Sequence, residues 1–273
     1  MEIKSSVYAI IATICWGASF ILTKQGVAVV SPFLFAFLRY FIASLFFSIL
    51  IIFHKNFTFK GEFILLAFIG VAMPTILQNV ALKYTSAYIS GFLQSTGPLY
   101  TLMLAVAFLK EKFTWNKLAG IIIAFFGTYM IANPAHGDFY GNMLVLLSAI
   151  FYSLGSVYSK KLINSGNDAL AIISYATIFS LIFFIPSIPL GKIDIKFNAL
   201  LYAIILAIFP TFIAYILWYK AMEKMEISKL SCFVYLIPFF ALIFSYFSIH
   251  EVISLHKIIF GLLIVAGVAI AEA

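Results

Sequence analysis

The side chains that could do chemistry here are polar residues set at helical spacing inside apolar runs. Trp16, Ser19 and Thr23 fall on one helical face, and Tyr152, Gly155 and Ser159 repeat that spacing. Thr75, Gln78 and Asn79 form a second group. Gly91, Gln94, Ser95, Pro98 and Thr101 make a narrow stripe, and Thr211, Tyr215 and Trp218, then Ser231, Tyr235 and Pro238, follow late in the chain. Polar groups at membrane depth are costly, so they face a cavity or a partner helix. Small hydroxyls commonly serve as contacts between helices. Carboxamides are harder to bury without partners, so Gln78, Asn79 and Gln94 are expected to line a cavity. The aromatic residues either share that cavity or face lipid and the interface. The candidate substrate contacts are Trp16, Ser19, Gln78, Asn79, Gln94, Ser95, Tyr152, Tyr215, Trp218 and Tyr235.

This is the chemistry of binding, not of bond making. An enzyme in the membrane would need clustered nucleophiles, paired acids or a metal set at one depth, and none is apparent. No phosphate-cradling glycine loop is present, so an ATP-driven pump is not expected, and neither a cofactor nor a metal is implied. All ten acidic residues fall at the ends of apolar runs or between them, and the four histidines do likewise. A proton-coupled carrier usually needs a titratable group within the membrane, which favours facilitated movement of solute. Glu111 and Glu251 are the exceptions to watch. Their bland role is pairing with Lys112 or another lysine. Arg39 is the only arginine, about two turns into its apolar run. It either snorkels to the outer interface beside Tyr40 or makes a buried contact with carbonyls or an anionic substrate group. Cys15 and Cys232 sit in apolar runs without ligand spacing and read as small packing residues.

The elements that must hold these residues are membrane helices. The chain has 273 residues, 64% hydrophobic and 10% charged, with mean hydropathy +1.11, too little charge to cover a soluble domain. Ten spans fit, at 6–24, 32–53, 62–82, 87–109, 116–133, 141–160, 169–189, 197–219, 229–249 and 255–272. The apolar run after Met1–Ser5 has no small-residue cleavage site and reads as the first helix, not a signal peptide. The net charge of +7 implies no nucleic-acid partner, because basic residues gather in cytoplasmic loops. Both termini inside places eleven lysines on the inner face against five outside.

The chain also repeats itself. Residues 9–25 align with 145–161 at an offset of 136, and Pro98, Glu111, Lys117 and Gly127 align with Pro238, Glu251, Lys257 and Gly267 at an offset of 140. Five spans per half is odd, so the second half must enter the membrane in the opposite sense. The halves are expected at 1–135 and 136–273. The change of offset means either that the eighth span is a turn longer than the third or that Pro74 and Pro210 are not equivalent. Pro74, Pro98, Pro210 and Pro238 interrupt their spans and are candidate hinges, or static kinks. Gly120, Ala124 and Gly127, and Gly261, Ala266, Gly267 and Ala269, make small faces suited to close helix contact within the scaffold or in a dimer.

With Trp16-Gly17-Ala18-Ser19-Phe20, Arg39-Tyr40, Pro98 before Lys110-Glu111, and Gly120 and Gly127, repeated in part by Pro238, Glu251 and Gly267, the chain resembles the EamA-like branch of the drug/metabolite transporter superfamily. The resemblance implies an all-α integral membrane fold of ten transmembrane helices in two inverted five-helix repeats. It implies a central cavity lined by helices 1, 3, 4, 6, 8 and 9, with helix 2 peripheral, which favours the snorkelling role for Arg39. It implies a secondary transporter of small organic metabolites such as amino acids in the cytoplasmic membrane, by export or, in some members, uptake. The apolar walls with few polar groups point further to hydrophobic or aromatic amino acids, and the lack of a midplane titratable group to an exporter or uniporter. A proton-coupled antiporter of drugs or organic cations is the alternative; a channel or membrane enzyme would be another class. The expected partners are a small-molecule substrate and the lipid bilayer, with the chain a monomer or weak homodimer.

Overall fold

The computed structural model describes residues 2–54, 57–132, 138–190, 196–249 and 255–272, and these residues are helical almost throughout. Ten spans run in order. They are α1 (Glu2–Val29), α2 (Pro32–Phe53), α3 (Glu62–Tyr84), α4 (87–109), α5 (Trp115–Ala132), α6 (Phe139–Asn164), α7 (169–190), α8 (Phe197–Lys224), α9 (227–249) and α10 (Leu255–Glu272). Among the described residues, seven are long and apolar enough to cross a bilayer by length and composition.

The helix starts are written in the sequence. Ser31 accepts from the Leu34 N–H (3.1 Å) just before Pro32, whose missing N–H costs nothing at a first turn. Asp138 and Asp168 cap α6 and α7 by accepting from the Gly141 and Ala171 N–H groups (2.8 and 2.9 Å). The ends run further than hydropathy suggests. α1 continues past Lys24 to Val29, and α6 encloses Lys160 and Lys161. Lysine is a good helix former, so a first charge does not end a helix.

Those lysines have partners. Lys24 Nζ donates to the carbonyls of Leu82 and Thr85 (2.9 Å to the latter) at the end of α3. Lys160 Nζ donates to the Met222 carbonyl (2.6 Å) at the end of α8. Each ammonium satisfies carbonyls that a helix terminus leaves open. Lys117, also buried, donates to the Lys112 carbonyl (2.8 Å) and pairs with Glu226 (2.6 Å). These three are structural charges, so the lysine bias rests on the remainder, nine against four.

The packing pairs respect an exchange of spans 1–5 with 6–10. α1 packs on α8 as α6 packs on α3, α1 on α9 as α6 on α4, and α2 with α7 and α5 with α10 are pairs in themselves. Local irregularities match too. α3 contains a π-helical stretch at Ala67–Ala72 and α8 one at Ala207–Ile213. α4 breaks at Ser95 and Thr96 before restarting at Gly97, and α9 tightens to a 3-10 turn at Phe233–Tyr235. The π stretches begin 140 residues apart, and α8 spans 28 residues against 23 for α3. The extra turn therefore lies at the start of α8, and Pro210 stands opposite Gly70, not Pro74. Both alternatives for the change of offset hold together.

Two close approaches explain small residues. α3 and α6 cross at Gly70 and Gly155, where a Cβ on Gly155 would fall 2.3 Å from the Gly70 Cα. α5 and α10 meet along Gly120, Ala124, Gly127 and Gly267. A Cβ on Gly120 would fall 2.5 Å from the Gly267 carbonyl oxygen. The α5 face closes on α10 within one chain, but of the expected α10 face only Gly267 takes part: Gly261 lies against Phe239, Ala266 and Ala269 are exposed, and Ala271 fills the seam instead. Large apolar side chains stand outward instead, such as Phe41, Leu45, Ile49 and Ile52 along α2, as a lipid-facing surface requires.

Candidate substrate cavity

A cavity of about 150 Å³ lies among α1, α3, α6 and α8, with Val234 and Ile237 from α9 and one residue each from α2, α4 and α7. At roughly 10–15 Å³ per water it has room for on the order of ten waters, the scale of a small solute. Of the predicted contacts, Trp16, Ser19, Gln78, Gln94, Tyr152, Tyr215 and Trp218 line it. A smaller chamber of about 50 Å³ continues from it past Gln94 and Tyr152 to Pro98, Thr101 and Ser231, at the break in α4.

The aromatic wall is built from α1 and α8. Trp16 lies 4.8 Å from Trp218 between ring centroids and meets Tyr215 edge-on at 6.4 Å. The Trp16 indole N–H is already committed to the Pro210 carbonyl (2.8 Å), so Trp16 offers a solute its ring face. The Ser19 hydroxyl donates to the Trp16 carbonyl (2.7 Å), which leaves it only as an acceptor. Gln94 is about nine-tenths buried, and its Oε1 has no hydrogen-bond partner among the described residues.

Three expected contacts do not line the cavity. Asn79 is buried with its amide donating to the Pro32 carbonyl (3.2 Å), so it serves the α2–α3 contact. Ser95 donates to the Gly91 carbonyl (2.9 Å), satisfying a helix end where α4 breaks. Tyr235 is buried in the 3-10 turn of α9, and its hydroxyl has no partner among the described residues. The break in α4 and the turn in α9 rotate the stripes that held Ser95 and Tyr235, whereas Asn79, one residue past Gln78 on a regular stretch of α3, points about 100° away toward α2.

Arg39 corrects the favoured snorkelling role. It is 8% exposed and lines the cavity. Its position follows from a chain of local needs on α8. Pro210 has no N–H to return to Leu206, and the neighbouring Thr211 hydroxyl donates to the Leu206 carbonyl instead (2.8 Å). The same Thr211 oxygen accepts from Arg39 Nε (2.8 Å). Beside it the Tyr40 and Tyr215 hydroxyls share a hydrogen bond (2.8 Å), and Thr75 donates to the Tyr40 oxygen (3.0 Å). The Arg39 guanidinium carbon sits 5.4 Å from the Tyr40 ring centroid.

Glu111 has a third role, neither lysine pairing nor a place in the cavity. Its Oε1 accepts from the Ile227 N–H (2.8 Å) and its Oε2 from the Ser228 N–H (3.1 Å) and hydroxyl, capping α9 from another element. Glu251, its repeat counterpart, lies outside the described residues, as do Lys55, His136, Lys192 and His250. Of the four candidate hinges, Pro98 lines the side chamber, Pro74 and Pro210 present carbonyls to Ser148 and Trp16, and Pro238 lies in α9 just past its 3-10 turn.

Comparison with known proteins fits this arrangement. The model of the EamA-like transporter family matches twice, over residues 3–133 and 139–272. The chain belongs to the EamA-like transporter family. An uncharacterized transporter of Archaeoglobus fulgidus is 30% identical over 93% of this chain and 94% of its own length. The uncharacterized transporter YetK of Bacillus subtilis is 30% identical over 84% of this chain and 74% of its own. A probable terminal-alkyne amino-acid exporter of Streptantibioticus cattleyicolor is 24% identical over 73% of this chain and 68% of its own. A solved crystal structure superposes with a TM-score of 0.83 at 18% identity, over 98% of this chain and 96% of that one, and shows the same fold.

Sequence reasoning missed several cavity residues of this EamA-like chain. Phe20 and Ser156 occupy matching positions at the 136-residue offset, one helical turn from Trp16 and Tyr152. The repeat itself could have found them. Tyr219 could have been found through its hydroxyl, which bonds Ser159 (2.8 Å) on the stripe of α6. Ile173, Met222 and Ile237 carry no signal beyond being apolar.

Proposed function

We propose that this EamA-like transporter moves small organic metabolites across the cytoplasmic membrane by alternating access, with hydrophobic or aromatic amino acids as the solute class, as an exporter or uniporter. The observation that carries the reading is the cavity's composition. Two carboxamides, Gln78 and Gln94, meet an apolar wall of Trp16 and Trp218 at the contact between the first five spans and the last five. Few convergent polar groups on an apolar wall suit an amphipathic solute. In this reading residues 1–135 and 136–273 are the inverted halves, both termini are cytoplasmic, and the α3–α4 and α8–α9 hairpins rock about Pro74, Pro98, Pro210 and Pro238. The name of the Streptantibioticus relative, an amino-acid exporter, supports the solute class.

Proton-coupled exchange of drugs or organic cations is less favoured. Among the described residues no carboxylate or imidazole lines the cavity. The test is saturable flux of radiolabelled aromatic amino acids in proteoliposomes at symmetric pH, with Gln94→Ala impaired and normally folded. Accumulation that requires a pH gradient would replace the uniport reading. Flux no different from protein-free liposomes across amino acids, amines and sugars would remove the transport reading of this cavity.

A further inference from the structure

The cavity holds one charge and nothing of opposite sign. Arg39 is the only charged side chain among the described residues that line it. Its Nε is used by a neutral hydroxyl, that of Thr211. A guanidinium carries five N–H groups in a planar fork, and the other four donate to no acceptor among the described residues. The ion pair found among the described residues, Lys117 with Glu226, lies away from the cavity. Arginine does not escape burial by losing its proton, so an uncompensated guanidinium at this depth is stabilised by an anion brought to it.

We propose that the cavity selects its solute by a single carboxylate, which pairs with Arg39, and that an amino group on the solute is not required. The proposal rests on the reading of this cavity as the transport site and names what the site recognises. Charge bookkeeping sets the class. A monocarboxylate on Arg39 leaves the site neutral. A zwitterion leaves one positive charge, an organic cation leaves two, and a phosphate dianion leaves one negative. The planar fork also matches a carboxylate bidentately. The ring faces of Trp16 and Trp218 receive the apolar body, and an ammonium group meets ring faces and neutral hydroxyl and amide oxygens, with no carboxylate among the described lining residues.

The experiment uses the full chain in detergent with Trp115→Phe. Trp115 is 75% exposed and outside the cavity, so the tryptophan fluorescence that remains reports Trp16 and Trp218. The probes are 3-phenylpropionate, its methyl ester, phenylalanine, 2-phenylethylamine and phenyl phosphate. The acid should bind at least as tightly as phenylalanine, and the ester, amine and phosphate at least tenfold more weakly. In Arg39→Gln the acid should weaken to the level of its ester while the ester is unchanged, and Arg39→Lys should fall between. The melting temperature of each variant controls for folding. Ester or amine binding as tightly as the acid, or an Arg39→Gln protein that keeps full affinity for the acid, would overturn the proposal while leaving the cavity as the transport site. If no probe alters the fluorescence and none shows saturable flux, the transport reading falls with it.

Discussion

Replacing Gly155 by alanine should destabilise this protein more than any other single methyl added at the glycines facing the α3–α6 crossing. The added Cβ would sit 2.3 Å from the Gly70 Cα and 3.2 Å from the Gly70 nitrogen. Carbon atoms rest about 3.5–4.0 Å apart, so the two backbones must part by about 1.2–1.7 Å. Neither has a side chain to swing aside. At Gly70 the same methyl would meet the Leu66 Cδ1 at 2.8 Å and the Gly155 Cα at 3.1 Å, and the leucine tip can turn away. At Gly97 it would meet only the Ser153 Oγ, at 3.6 Å, an ordinary contact. Overpacking costs about 1–3 kcal/mol. At about 2–4 °C per kcal/mol, Gly155→Ala should lower the melting temperature by about 5 °C or more, Gly70→Ala by less, and Gly97→Ala by about nothing. Fluorescence-detected thermal unfolding in detergent measures all three. Equal melting temperatures for Gly155→Ala and Gly97→Ala would refute the crossing as described.

Thr211→Val keeps the shape of the side chain but leaves the Leu206 carbonyl without its hydroxyl donor and Arg39 Nε without its acceptor, so stability should fall by about 1–2 kcal/mol and solute affinity with it; a melting curve beside a binding titration checks both. Glu111→Ala should cost about 1–2 kcal/mol by uncapping α9 and should leave flux at symmetric pH unaltered in kind, where a proton carrier would lose its coupling; paired unfolding and proteoliposome assays separate the outcomes. For orientation, Lys161→Cys and Lys83→Cys, both exposed, are suited as labelling sites. Impermeant thiol reagents should reach Lys83→Cys on intact cells and Lys161→Cys only after permeabilisation, and the reverse pattern would invert the topology.

The spans were legible because hydropathy and length alone mark them, and helix starts with local side-chain caps were written as Ser31, Ser86, Thr114, Asp138 and Asp168. Their ends were not, because Lys24 and Lys160 read as loop charges and turned out to close neighbouring helices. The cavity was partly legible. Seven of ten expected contacts converge on it, since Trp16, Ser19 and Tyr152 keep one helical phase. Ser95 and Tyr235 were misplaced because periodicity assumes an unbroken helix, and α4 and α9 both change pitch where they lie; Asn79 was grouped with Gln78 although neighbours on a regular helix point about 100° apart, and it faces α2. Arg39 was misread for another reason. Its partner, Thr211, is 172 residues away, and its availability depends on a proline's missing N–H, which no local pattern on α2 encodes.

The seam between α5 and α10 has a mechanical consequence. Where Gly120 and Gly267 meet, backbone lies against backbone, and Ala124 and Ala271 fill the remaining space. At that crossing glycine and alanine have no rotamers to exchange, and Ile264 packs against Gly127 one stretch further along. Sliding the seam by a turn would drive a carbonyl into a methyl group. A carrier must alternate between two shapes while some part of it stays put as the frame of reference. Among the described residues α5 and α10 lend nothing to the cavity, so under the proposed alternating access this seam is the part expected to stay fixed while the lining helices move.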